Sequence, residues 1–393
     1  MVDLSANSPL LADTRSAIWP MIIAWGKGHP PPSDQYPQLV AWELKDPNRS
    51  AAWQLCAENI DAALQDRAAL LQSLLRSTDQ TLNSQNLEAH SLDAHRLPPA
   101  LWTSDHWIDS IVPLWTLWLP LAQYLDQQQK ALGAPFIQGI LGGQGTGKTT
   151  LTLILQRILQ QLGHRSIGLS LDDLYLTYAQ RRERQRQDPR LIWRGPPGTH
   201  DIELGQRTLS QLKHASPSAQ ITLPQFDKSL YQGQGDRIAP ITHSAPTIVL
   251  FEGWFVGVRP LLESSFTDDT IRLPAPIVTQ ADRQFAADSN RRLLSYLPLW
   301  DFLDGLMVLY PEDYRLSQRW RQQAEHAMKA QGKGGLSDRE ISDFVTYFWK
   351  ALHPQLFITP LTQSSFVHLV AQILADHSLG ELFAPSAGYA YPI

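Results

Sequence analysis

The sequence predicts an α/β fold, a parallel β-sheet flanked by helices, with a mostly helical extension in front of it. Three observations predict it. From residue 131 onward, short β-rich runs alternate with helical stretches, the pattern of strands paired in parallel through helical crossovers. A glycine-rich stretch joins the first of those runs to the first of those helices. Residues 1–130 carry helical spacing and none of the strand runs.

Composition narrows the function classes. At roughly 100–200 residues per domain, 393 residues make two domains, or one core with a large extension. With 43% hydrophobic and 18% charged residues, the chain can pack a core and does not resemble a disordered one. The formal net charge is −5 and no long basic run occurs, so nothing points to a nucleic-acid partner. The short patch Arg181–Arg186 contains Glu183 and reads as a solvated helix face. Cys56 is the only cysteine, which excludes an internal disulfide and a thiolate zinc site and agrees with a reducing compartment. Its helical spacing with Trp53, Ile60 and Leu64 predicts a core position. No window reaches the length of a membrane span. The opening residues MVDLSANSPLLADTRSAIW lack the basic and apolar regions of a signal peptide. A cytoplasmic chain without a membrane partner is expected.

The elements follow in order. Residues 1–50, broken by GKGHPPPSD, predict irregular structure or short helices. Apolar spacing near 3.6 predicts a helix over 51–73, and the polar stretch 76–100 predicts a loop. A second helix, rich in Trp and Leu, is expected over 106–130, with a kink at Pro113 and a break at Pro120. Strands are expected at 135–141, 166–171, 247–251 and 304–310, with a further one at 356–361. Helices are expected at 150–162, 315–331 and 338–351.

The strongest local signal is Gly142-Gly143-Gln144-Gly145-Thr146-Gly147-Lys148-Thr149, which fits G-x-x-x-x-G-K-[ST] between a strand and a helix. Glycines let successive backbone N–H groups converge on phosphates, and the following helix aims its N-terminus at them. Lys148 would reach the β- and γ-phosphates, and the Thr149 hydroxyl would reach magnesium. Thr150 completes the nucleotide-binding candidates. The fold class sharpens to that of the P-loop NTP hydrolases.

Acidic residues sit where the strands should end. Asp172 follows the second strand and is the candidate to take, or hold in line, the proton of an acceptor hydroxyl. Asp173 could orient that acceptor, hold magnesium through water, or cap the next turn. Glu252 ends the run TIVLF and fits a carboxylate that holds magnesium or its water. Residues 190–237 pack charge around glycine and proline, in RGPPGTHD (Arg194–Asp201) and in PQFDKS (Pro224–Ser229) followed by Gly233, Gly235, Asp236 and Arg237. That density predicts a fixed binding loop. Arg194, Lys228 and Arg237 are its candidate cations for a carboxylate, and His200 and Asp201 its hydroxyl binders. Asp173, Tyr175 and Asp227 complete the acceptor-binding set. In YRLSQRWRQQAE, Arg319 and Arg321 cannot share a helix face, so one of them points inward to cover the transferring phosphate.

Together these motifs resemble the plant-type glycerate kinase family, within the phosphoribulokinase, uridine kinase and pantothenate kinase superfamily. The resemblance covers roughly residues 131–380, and its specific part is the ordered pair RGPPGTHD and PQFDKS. It implies phosphorylation of D-glycerate at its 3-hydroxyl, with ATP and Mg2+, to give 3-phosphoglycerate, in photosynthetic cells the last step of the photorespiratory glycolate pathway. It implies that Gly142–Thr149 hold ATP, that Asp172 is the acceptor-side aspartate and that Arg321 is the lid arginine. The implied organisation is an extension over 1–130 and a P-loop kinase domain over 131–393, with an acceptor segment at 190–237 and a lid around 314–330. One departure lies in ILADHSLGE, where Ser378 stands after His377 in place of an arginine. Two other readings are a superfamily kinase for a nucleoside, pantothenate or sugar phosphate, and an ATP-binding regulatory protein. Lys148→Ala is expected to abolish ATP-dependent turnover while leaving the thermal melt unchanged; near-normal turnover in the folded variant would remove the loop from the chemistry.

Overall fold

The computed structural model describes residues 17–83, 104–330 and 337–385. At its centre lies β1 (Phe136–Gly142), every residue of which is buried. Its side chains alternate between two cores: Phe136 and Ile140 enter one, Ile137 and Leu141 the other. A strand buried on both faces reads as a near-continuous apolar run, as this one does apart from the buried Gln138. It is flanked in parallel by β5 (Ile248–Gly253) and β6 (Gly305–Pro311). The six-stranded sheet runs β2-β5-β1-β6-β7-β8, with β2 (Ser166–Ser170), β7 (Leu369–Ile373) and β8 (Leu379–Phe383) outward.

The sheet is mixed, which corrects the all-parallel expectation. β8 pairs antiparallel with β7 after a tight turn, a connection only antiparallel neighbours can make. The strand expected at 356–361 is also absent. Pro354–Phe357 is a helical turn and Leu361–Gln363 a 3₁₀ turn, because Pro354 suits a helix start and Pro360 has no N–H for a ladder. Residues 190–237 are no continuous loop either. They contain helix Ile202–Lys213, capped by the Asp201 side chain on Leu204 N, and a separate hairpin of β3 (Gln220–Asp227) and β4 (Asp236–Ser244). The hairpin register shifts between Leu223 and Gln225, at Pro224, where proline is tolerated in a strand.

The N-terminal helices cover one face of the sheet. α1 (Ile18–Gly26), α2 (Tyr36–Lys45) and α3 (Pro47–Ala52) precede the long α4 (Ile60–Asn83). Leu64, Leu71 and Trp115 share a core with Ile140 of β1 and Leu382 of β8. The predicted helix over 51–73 is therefore broken at 53–59. There Gln54 takes a left-handed conformation, and the Asn59 side chain bonds both Cys56 N and Gln54 O. That turn leaves Cys56 exposed, against the expected core position. α4 continues through 76–83, where a loop was expected; residues 84–100 of that loop lie outside the described residues.

No break occurs at Pro120. A π turn at Leu114–Trp118 runs directly into α5 (Leu119–Leu132). The wider turn makes room for the proline ring, and the Thr116 carbonyl, which lacks a partner four residues on, accepts from Trp53 Nε1 at 3.0 Å. Among the described residues no helix is long and apolar enough to cross a membrane.

A buried charge joins these helices. Glu43, fully buried, meets Arg67 Nη1 at 2.9 Å, Trp115 Nε1 at 2.6 Å and Arg49 Nε at 3.9 Å. Arg49 lies over the Trp42 ring at 4.1 Å. Burial pushes the Arg67 guanidinium downward, and Glu43 opposes the shift. Glu43→Ala would leave two buried arginines without their counter-ion. It should cost about 3–5 kcal/mol, read as a lower denaturant midpoint; an unchanged midpoint would show that the cluster contributes nothing.

Candidate active site

The carboxyl ends of β1, β5 and β2 lie side by side. Glu252, near the end of β5, is in register with Ile140 and with Ser170. Between β1 and α6 (Lys148–Gln161) runs the loop 143–147, in which Gly145 and Gly147 have φ of +80° and +84°. Those values favour glycine. Gly147 offers α6 no side-chain cap, so no side chain of its own N-cap takes the first-turn amides. Gly142 is held close to Thr146, whose hydroxyl donates to Gly143 O at 2.9 Å. Lys148 Nζ donates to Gly143 O at 3.0 Å, and Thr149 Oγ1 to Glu252 Oε1 at 3.4 Å. Burial lowers the Lys148 ammonium, while Glu252 and Asp172 raise it and Lys228 lowers it. Gln144 Oε1 is buried without a partner, and Thr150 is exposed on the first turn of α6.

Asp172 faces a cation. Its Oδ2 lies 2.5 Å from Lys228 Nζ, and its carboxylate also accepts from the Tyr175 hydroxyl. Burial alone would raise this carboxyl; Lys228, with help from Tyr175 and His200, holds it at about 2. Its neighbour Asp173 has both oxygens on backbone amides, Ser170 N at 3.3 Å and Phe226 N at 3.3 Å. Of the roles open to Asp173, the geometry realises the cap, and the same carboxylate ties the 3₁₀ turn Leu171–Leu174 to the hairpin.

The three candidate cations separate. Arg194 donates to Gly233 O and Gln234 O, and Arg237 donates to Tyr175 O and to Asp201 Oδ2 at 3.0 Å. Both hold the chain's own groups, while Lys228 pairs with Asp172 from the hairpin turn. Asp201 divides between the helix cap and Arg237, and Asp227 accepts from Ser229 N and Oγ in the turn. His200 is 4% exposed and stacks on Tyr175 at 4.5 Å. The structure thus gathers Lys148, Thr149, Glu252, Asp172, Tyr175, Lys228 and His200. It sets Asp173, Arg194, Asp201, Asp227 and Arg237 to bracing the elements that carry them.

The helix Leu316–Ala330 docks on the glycine loop through Trp320. A Cβ on Gly145 would come within 2.6 Å of Trp320 Cβ, and Trp320 is 2% exposed. Its ring stacks on His377 at 4.5 Å and its Nε1 donates to Ala375 O. Ser378, at the departure noted above, donates its hydroxyl to Asp376 and so closes the β7–β8 turn. Arg321 is half-buried, 2.8 Å from Glu325 and 5.4 Å from the Phe344 ring, while Arg319 is exposed.

No family model matches the chain. It is 34% identical over 235 residues to the chloroplastic D-glycerate 3-kinase of Arabidopsis thaliana, a match over 57% of this chain and 49%, about half, of that protein. The solved D-glycerate 3-kinase of Cryptococcus neoformans superposes with a TM-score of 0.60 at 26% identity, over 67% of this chain and 97% of that one. The uncharacterized kinase mug58 of Schizosaccharomyces pombe is 33% identical over 260 residues, 63% of this chain and 90% of its own length. The chain belongs to the D-glycerate 3-kinase family. This is a family of kinases, and membership implies use of a nucleotide.

Sequence reasoning about this family member missed Trp320, Tyr296 and Arg181. Trp320 and Tyr296 sit in apolar spacing that any core residue shows. Arg181 was read as part of a solvated face, but it is 9% exposed and donates to the carbonyls of Leu176, Gln234 and Gly235. Only the hairpin, distant in sequence, supplies those last two acceptors.

Because its pKa in the folded chain lies below the usual 3.8, Asp172 contributes stability that is present above about 3.8 and lost as pH falls through about 2. Lys228→Ala leaves burial unopposed by its nearest cation. The Asp172 carboxyl should then titrate markedly higher, as read by carbon NMR of labelled aspartate. An unmoved midpoint would remove Lys228 as its partner.

Proposed function

We propose that this chain transfers the γ-phosphoryl group of ATP to the 3-hydroxyl of D-glycerate, giving 3-phosphoglycerate and ADP. The observation that carries the reading is the Asp172–Lys228 pair, set at the strand ends beside Lys148 and Glu252. An acceptor carrying both a hydroxyl and a carboxylate suits a carboxylate and a cation in contact. The plant and fungal enzymes similar to this chain are D-glycerate 3-kinases by name.

Each group has a role in this reading. The amides of Gly143–Gly147 and the first turn of α6 hold the phosphates, with Gly142 and Thr150 framing the loop. Lys148 leaves Gly143 O for the β- and γ-phosphates. Thr149 and Glu252, a hydroxyl and a carboxylate in contact, are the residues that would hold a magnesium ion. No group of three His, Cys, Asp or Glu side chains suited to a metal occurs among the described residues. Magnesium, when bound, neutralises charge on the phosphates. Asp172 accepts the proton of the 3-hydroxyl as that oxygen forms its bond to the γ-phosphorus and the bond to ADP breaks. Lys228 turns to the acceptor carboxylate, and Arg321 covers the transferring group from the lid at 314–330. The segment 190–237 frames the acceptor. Residues 1–130 act as a packing extension to the kinase domain at 131–393 and supply no catalytic group.

The test is kcat/KM for D-glycerate, lactate, glycerol, uridine and pantothenate, with NMR of the product. A site built to bond a hydroxyl rejects analogues lacking it, by on the order of 10⁴–10⁵ in favourable cases. D-Glycerate should be phosphorylated on its 3-hydroxyl, lactate should fail and glycerol should be poor. Preference for uridine or pantothenate would overturn the acceptor.

A further inference from the structure

His200 holds a polar atom with nothing to bond. Its imidazole is 4% exposed, and its Nε2 has no hydrogen-bond partner. An unmade bond at a buried donor is costly, so such an atom calls for an explanation. The other ring nitrogen says which kind of atom Nε2 is. His200 Nδ1 lies 2.7 Å from the hydroxyl of Tyr296, a fully buried tyrosine. The Tyr296 oxygen already accepts from Gly198 N at 2.9 Å. Among the described residues Nδ1 is the one acceptor within hydrogen-bond reach of that hydroxyl, so the tyrosine's own proton goes to Nδ1. A neutral imidazole that accepts at Nδ1 carries its proton at Nε2. The unpartnered atom is therefore a donor.

Its surroundings keep that donor neutral and close to the chemistry. Burial holds the ring at about 3, against the pull of Asp172, so the imidazole is uncharged at neutral pH. Tyr175 stacks on the ring and donates its hydroxyl to Asp172. Phe255 and Tyr296 meet the ring edge-on at 5.6 Å each and fix its plane. Gly198, which donates to Tyr296, is pressed against Arg292, and Arg292 is paired with Asp188. The loop Arg194–Asp201 is thus braced around one side chain whose free end has no protein acceptor.

We propose that Tyr296 is a positioning residue that fixes His200 as the Nε2–H tautomer, and that this neutral donor bonds the carboxylate of the acceptor substrate beside Asp172. A carboxylate offers only acceptors, so it matches a donor that cannot switch roles. The carboxylate part rests on the acceptor proposed above; the tautomer part does not.

Two measurements separate them. Ring ¹⁵N shifts in the labelled full-length protein read the tautomer directly. His200 should be protonated at Nε2 in the wild type and should become a mixture of tautomers in Tyr296→Phe. Protonation at Nδ1 in the wild type overturns the inference whatever the substrate. In kinetics, His200→Asn should lower kcat/KM for D-glycerate by about 10- to 100-fold, the worth of a hydrogen bond to a charged group. KM for ATP should stay unchanged, and the residual rate on glycerol, which has no carboxylate, should fall clearly less than the rate on D-glycerate. His200→Gln, whose amide nitrogen can reach the place of Nε2, should recover part of the loss. Equal losses on glycerate and glycerol, or none, would overturn the carboxylate contact. A wild-type protein that phosphorylates no hydroxy acid would refute the proposed acceptor, and the contact with it, while the ring shifts still decide the role of Tyr296.

Discussion

β1 is hydrogen-bonded in parallel on both edges, and most of the molecule follows from that constraint. Parallel neighbours cannot be joined by tight turns, so each must return through a crossover on a face of the sheet. The crossovers, with the N-terminal helices on one face, bury β1 on both sides and leave its carboxyl end for the loop 143–147. β2, β5 and β6 end at the same level for the same reason. Lys148, Glu252 and Asp172 come together there although they lie up to 104 positions apart in the chain. The strand registers decide this closeness: Glu252 sits opposite both Ile140 and Ser170.

Around that edge, charge has two uses. Three arginines serve the chain's own backbone. Arg181, Arg194 and Arg237 donate to carbonyls in the turn of the β3–β4 hairpin and at the end of β2, where no ladder supplies partners. A planar fork of donors suits that task, and the geometry fixes a hairpin that, among the described residues, pairs with no strand of the six-stranded sheet. The lysines are placed differently. Lys148 and Lys228 are single point charges on flexible stems, set within reach of Asp172, and in the proposed function each exchanges its present partner for an oxygen of a bound substrate. The split between rigid arginines and movable lysines follows the difference between holding a scaffold and meeting a ligand.

The N-terminal helices do more than add length. They supply about half of one core, and the carboxylate of their buried Glu43 finds its two hydrogen-bond donors only when α2, α4 and Trp115 are all in place. Such an ion cluster gives little net stability, but it penalises any packing in which one partner is missing. The sheet face they cover includes Ile140, one strand pair from Glu252. Helices without a chemical motif are in this way tied to the geometry of the strand ends.

The sequence by itself determined the elements whose cause is local. The run 135–141, its glycines and the helix after them need only neighbouring residues to be recognised, because φ above zero and apolar periodicity are properties of a few consecutive positions. The positions of Asp172 and Glu252 at strand ends follow in the same way. What the sequence could not determine was decided by partners far along the chain. Pro120 does not break its helix, because Trp53 bonds the freed carbonyl of Thr116. Cys56 is exposed because Asn59 closes a turn that the spacing of Trp53 and Ile60 conceals. Arg194 and Arg237 carry the right charge for a ligand, yet tertiary folding gives them backbone acceptors first. Lys228 alone of the three candidate cations is set against Asp172, since a side chain's hydrogen-bond partner is fixed by distance in space and not by its neighbours in the chain.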